Sequence, residues 1–185
     1  MLKKVSIAVI AIFLLTSCGD DNKNASHSDN KDTPHNDNSS KSLKEKIEDL
    51  EDQGRLPKLD RSSSIAGPDE NNNGVRDDIE AYITKNYPDE KQKKALFQAA
   101  ITMQSMMLAN ITDPMSIKEA IIKLSRSSNC IVNVFDITKG AEGSGVYEKI
   151  EAMSVNTKAR LQAYINFGKA MDGMVLVSPE GDTCE

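Results

Sequence analysis

Asp89-Glu90-Lys91-Gln92-Lys93-Lys94-Ala95-Leu96-Phe97-Gln98-Ala99-Ala100-Ile101-Thr102-Met103-Gln104-Ser105-Met106-Met107-Leu108-Ala109-Asn110 is the stretch on which the fold turns. Pro88 ends whatever precedes it, and Asp89 stands where a helix N-cap is wanted. From Ala95 to Leu108 apolar side chains fall on nearly every side of a helical wheel. A helix apolar all round is a buried one, so the stretch predicts a central helix that other helices must surround. Met103, Met106 and Met107 are read as core filling at helical spacing. Lys91, Lys93 and Lys94 are read as a solvated face opposite Asp89 and Glu90.

The flanking sequence supplies partners for that helix. Upstream, Ser42 and Glu45 have capping-box spacing, with Leu43, Ile47 and Leu50 on one face before Gly54. Residues 56–68 read as extended and loop-like, and a helix follows from about Asp78 to Tyr87. Downstream, Asp113 and Pro114 open another helix with Ile117, Ala120, Ile121 and Leu124 inward. The pattern after Cys130 fits a strand or a continuing helix equally, and Gly140, Gly143 and Gly145 predict a loose loop. A last helix over about residues 156–172 is expected to bury Leu161, Tyr164, Ile165 and Gly168. No period recurs, so repeat arrays are excluded. The expected fold class is mainly α, a small irregular helical bundle with one calcium-binding loop and one disulfide.

The calcium loop lies in residues 69–80. Asp69 stands first, Asn71 third, Asn73 fifth, Gly74 sixth, Val75 seventh, Asp77 ninth and Glu80 twelfth. A hard cation of calcium's size takes about six to eight oxygens at roughly 2.3–2.6 Å. The Asp69, Asn71 and Asn73 side chains, the Val75 carbonyl, Asp77 directly or through water, and both Glu80 oxygens would supply them. Gly74 permits the tight turn, and oxygen-only ligation favours calcium or magnesium over zinc or copper. The stretch resembles the EF-hand loop and, through Gly74-Val75-Arg76-Asp77, the calcium loops of dockerins and thrombospondin type 3 repeats. It departs from the EF-hand in having no helix before it and Arg76 at the eighth position. An unpaired, structural site of affinity about 10⁻⁴ to 10⁻³ M is expected. A broader likeness, through residues 56–60, Gly67-Pro68 and residues 156–164, is to uncharacterised exported proteins of Gram-negative bacteria.

The first residues carry an address. A positive start at residues 1–4 precedes an apolar run of eleven residues, too short for a span of about 20. Leu15-Thr16-Ser17-Cys18 then resembles the bacterial lipobox, in which the cysteine sulfur accepts diacylglycerol. The resemblance implies a signal peptide over residues 1–17, a lipidated Cys18 and attachment to the membrane through that N-terminal anchor. Gly19, where Asp would favour inner-membrane retention, points to the outer membrane, on the periplasmic face of the envelope. Residues 18–41 are polar and hold both histidines, His27 and His35, so they read as a disordered tether to a domain over residues 42–185.

The two remaining cysteines, Cys130 and Cys184, are an even pair in an oxidising compartment and read as a disulfide. That domain has no histidine, no Ser-x-x-Lys and no phosphate-loop ending, which removes Ser-His and Cys-His catalysis, His-ligated zinc and nucleotide binding. A net charge of -5 argues against nucleic acid as a partner, and with no Trp there is little to stack a sugar. The expectation is a non-enzymatic binding or scaffold module with an unidentified envelope protein partner. The alternatives are a periplasmic immunity or inhibitor protein acting against a toxin or hydrolase, and a cell-wall hydrolase using an Asp/Glu pair.

Overall fold

A computed structural model describes residues 41–135, 141–175, 177 and 179–185. The signal peptide, lipobox, Cys18 and tether through residue 40 lie outside these residues, as does Gly140. The described chain forms six helices: α1 Leu43–Asp52, α2 Asp77–Asn86, α3 Glu90–Leu108, α4 Pro114–Phe135, α5 Ala141–Ser154 and α6 Lys158–Ala170. None of the described helices is long and apolar enough to cross a membrane.

Local caps start most of them. The Ser42 hydroxyl accepts from Glu45 N at 3.3 Å while Ser42 N donates to Glu45 Oε2 at 2.7 Å, the reciprocal capping box. The Asp89 carboxylate accepts from Lys91 N and Gln92 N, Asp113 from Met115 N, and Thr157 from Arg160 N. Helix α3 buries residues on all sides, among them Leu96, Ala99, Met103, Met106 and Met107, and touches α2, α4, α5 and α6. It is the axis of a mainly aliphatic core to which Ile79 and Ile83 of α2, Ile117 and Ile131 of α4, Val146 and Ile150 of α5, and Phe167 of α6 contribute.

Cys130 and Cys184 form a disulfide with Cα atoms 5.0 Å apart, closing a separation of 54 residues. The bridge pins the C-terminal tail to α4. Thr183 is fully buried beside it, its carbonyl accepting from Gln98 Nε2 at 2.9 Å.

The choice left open after Cys130 falls to helix, since α4 runs on to Phe135. Three expectations change. Gly143 and Gly145 lie inside α5 and not in a loop. Each Gly costs a helix about 1 kcal/mol relative to Ala; burial of Val146, Ile150 and Met153 along one face outweighs that. In α1 the expected apolar face is weak: Leu43 is exposed, Ile47 and Leu50 are half-buried, and Glu51 is the buried side chain. In α6, Leu161 and Ile165 are exposed, as is Gly168, while Arg160 and Phe167 are fully buried and Tyr164 half-buried. Inward positions 160, 164 and 167 still follow helical spacing, but the first is an arginine.

Candidate metal centre

The loop is held from behind by two buried arginines. Residues 56–68 form a non-helical strap leading into it. Arg160, from α6, uses all five of its N–H donors on this strap and its own helix start. Nε donates to the Ile65 carbonyl at 3.2 Å, and Nη1 to the Asp60 carbonyl at 2.7 Å and Asn156 Oδ1 at 2.8 Å. Nη2 donates to the Ser64 carbonyl at 2.9 Å and pairs with the Asp60 carboxylate. A buried charge is tolerated when every donor is met, and here each is.

Arg76, also buried, sits within the loop. Its Nε and Nη2 make a two-pronged pair with Asp78 at 2.6 and 2.9 Å. The same guanidinium donates to the Met153 carbonyl at 2.9 Å and the Ser154 carbonyl at 3.4 Å, at the end of α5. A helix leaves its last carbonyls unpaired and negative, so a cation placed there satisfies them. Asp78 Oδ2 also accepts from Asp60 N at 2.6 Å, which joins the two arginine networks. Gly67 passes between them at φ +71°, and a Cβ there would lie 2.8 Å from Arg76 Cγ and 2.9 Å from Arg160 Nη2. No side chain fits at that crossing.

In front of this anchorage the loop closes on itself. Asp69 Oδ1 accepts from Asn73 N at 3.1 Å and Oδ2 from Gly74 N at 2.9 Å. Asn71 Oδ1 accepts from Asn73 N at 3.1 Å, and Asn73 Oδ1 from Val75 N at 2.8 Å. The Asn71 and Asn73 amides both donate to the Glu80 carboxylate, at 3.1 Å and 2.8 Å to Oε2. Positions three and five therefore meet position twelve directly, and position one is tied to the same turn through backbone amides. Gly74, at φ +83°, makes the turn that brings them there. Val75 and Ile79 are buried in the core, which fixes the loop's far side and the first turn of α2.

Asp77 stands apart from this set. Its carboxylate accepts from Glu70 N at 3.1 Å, closing the loop's base, while Asp77 N donates to the Pro68 carbonyl at 3.0 Å. Among the described residues, no donor reaches the Val75 carbonyl and no cation pairs with Asp69, Glu70, Asp77 or Glu80. Nor do three or more His, Cys, Asp or Glu side chains gather for a metal among those residues. The donors at hand are two carboxylates, two Asn amides and a backbone carbonyl. Each Asn oxygen carries a second lone pair beyond its turn bond, so the set fits a hard cation with oxygen preference.

Comparison with known proteins gives no matching family model, no matching curated protein and no matching solved structure. Arg160, Asp60, Asp78 and Asn156 were not singled out by sequence reasoning as a group. The stretches 56–60 and 156–164, quoted for their likeness to exported proteins, contain three of the four.

Proposed function

We propose that this protein is a calcium-stabilised lipoprotein of the bacterial envelope, a non-catalytic binding or scaffold module tethered through lipid on Cys18. The observation that carries the calcium part is the meeting of Asn71 and Asn73 with Glu80, and of Asp69 with the same turn through the Asn73 and Gly74 amides, without a cation partner among the described residues. Bound there, calcium would supply the positive charge that this acid-and-amide cluster otherwise lacks. The chain's own part is to orient the ligands: Gly74 turns the loop, and Val75, Ile79 and the Arg76–Asp78 pair hold it against the bundle. Arg76 ties the loop to α5, so a second calcium loop is not needed to brace it.

The lipobox at residues 15–18 and the polar stretch after it support an anchored, periplasm-facing protein, with Gly19 favouring the outer membrane. A non-catalytic role is supported by the pairing of three carboxylates outside the ligand set with arginine: Asp60 with Arg160, Asp78 with Arg76 and Glu51 with Arg61. The partner in this reading is another envelope protein.

Thermal melting in calcium and in chelator tests the clip. At about ten to a hundred times the dissociation constant, free calcium adds about 1.4 to 2.7 kcal/mol and raises the midpoint by several degrees. Glu80→Gln removes that rise while leaving the chelator midpoint in place. Equal midpoints with and without millimolar calcium overturn the reading.

A further inference from the structure

Separate from the loop's ligand set, α3, α4 and the C-terminal tail form a half-open cavity of about 440 Å³ lined by Lys93, Lys94, Phe97, Gln98, Ile101, Thr102, Lys123 and Glu185. That volume is the size of a small-molecule site, which typically falls at about 300–1,000 Å³. Its floor is apolar, built from Phe97, Ile101 and the stems of the lysines. The polar groups of the floor are already engaged. Gln98 Nε2 donates to the Thr183 carbonyl at 2.9 Å, and its Oε1 accepts from Glu185 N at 3.3 Å. Thr102 Oγ1 donates to the Lys123 carbonyl at 3.4 Å. A ligand body rich in hydroxyls would find little to bond there, whereas a hydrocarbon body loses nothing.

Charge sits at the mouth. Lys93 pairs with Glu90 at 2.7 Å, and the Glu185 carboxylate is taken by Arg126 at 2.8 Å. Lys123 Nζ meets the neutral Ser105 hydroxyl at 3.2 Å, and among the described residues neither Lys123 nor Lys94 has an acidic partner. Two uncompensated cations over an apolar floor, in a chain of net charge -5, make a local contrast. The lysines read from sequence as a solvated face thus include two, Lys93 and Lys94, that line this cavity.

We infer that this cavity binds a single-chain anionic amphiphile, its hydrocarbon over Phe97 and Ile101 and its carboxylate or phosphate head at Lys94 and Lys123. This gives the proposed binding role a ligand class and rests on that reading only to that extent; the calcium loop plays no part in it.

Calorimetric titration of the full chain, carrying Cys18→Ser so that no attached lipid competes, tests it with dodecanoate, dodecyl phosphate and dodecyltrimethylammonium below their micelle concentrations. Dodecanoate or dodecyl phosphate saturates at one equivalent, the tighter of the two identifying the head group, and the cationic analogue binds roughly tenfold more weakly or less. Lys94→Gln with Lys123→Gln weakens the anions by about tenfold, without moving the melting midpoint. Phe97→Ser weakens all three. Absence of saturable binding, equal affinity for the cationic analogue, or undiminished anion binding by the double variant overturns the proposal. Melting in calcium is measured without amphiphile, so either reading can fail while the other stands.

Discussion

Arg160 shows how much one side chain can organise. It is fully buried, all five of its donors are used, and four of them reach a strap about a hundred positions earlier in the chain. Lysine at that position keeps the charge but has no planar fork, leaving carbonyls of the strap and part of the Asp60 carboxylate unmet. Arg160→Lys is expected to cost about 3 kcal/mol or more, the usual scale for disrupting a buried ion pair, and urea unfolding reads it as a lower midpoint. The turn at Gly74, the meeting of Asn71 and Asn73 with Glu80 and the cysteine pair were legible in sequence because they rest on local spacing or simple pairing. Arg160 and Asp60 could not, because a charge defaults to solvent unless a tertiary partner is known. Arg76 illustrates the same limit: its place at the eighth loop position was visible, but the α5 carbonyls it reaches were not.

At the scale of elements, the starts of helices were legible because a cap is decided within a few residues, as at Ser42, Asp89 and Asp113. Faces were less so. Moving the inward position of α6 from Leu161 to Arg160 is a rotation of about 100°, and an apolar pattern points the wrong way when the innermost residue is charged. Helix α5 escaped notice for a different reason: its glycines weaken local propensity, and packing restores it. The C-terminal tail depends on a covalent element. Closing a loop of 54 residues stabilises a fold by about 4 kcal/mol on the chain-entropy account. Changing both Cys130 and Cys184 to Ala is therefore expected to lower stability by roughly that amount. Guanidinium unfolding of the variant and the parent measures the difference, and loss of protection at the Glu185 amide in hydrogen exchange reports release of the tail from Gln98.

The molecule as a whole should weaken in acid. Hydrogen bonding from Arg61 holds the buried Glu51 carboxyl below its ordinary 4.5, against the opposing pull of burial. Burial is the largest influence on Asp60 and pushes it up, but bonds from Arg160 and Ser62 with the Arg160 charge outweigh it, leaving Asp60 below its ordinary 3.8. For groups depressed in the folded state, the unfolded chain takes up protons first as pH falls. Their stabilisation is complete above the ordinary values and drains away as pH drops from about 4.5 towards the lowered ones. Melting midpoints measured from pH 7 to 3 should fall over the acid end of that range, and Glu51→Gln should make the fall shallower. The disulfide and the Arg160 cross-tie also bear on the order in which a chain synthesised from its N-terminus can fold. The strap at residues 56–68 has to wait for Arg160, a hundred positions later than Asp60, and the tail latch waits for Cys184. These early segments thus gain their lasting companions only after Arg160 and Cys184 have been synthesised, so closure of the strap and tail depends on contacts distant in sequence.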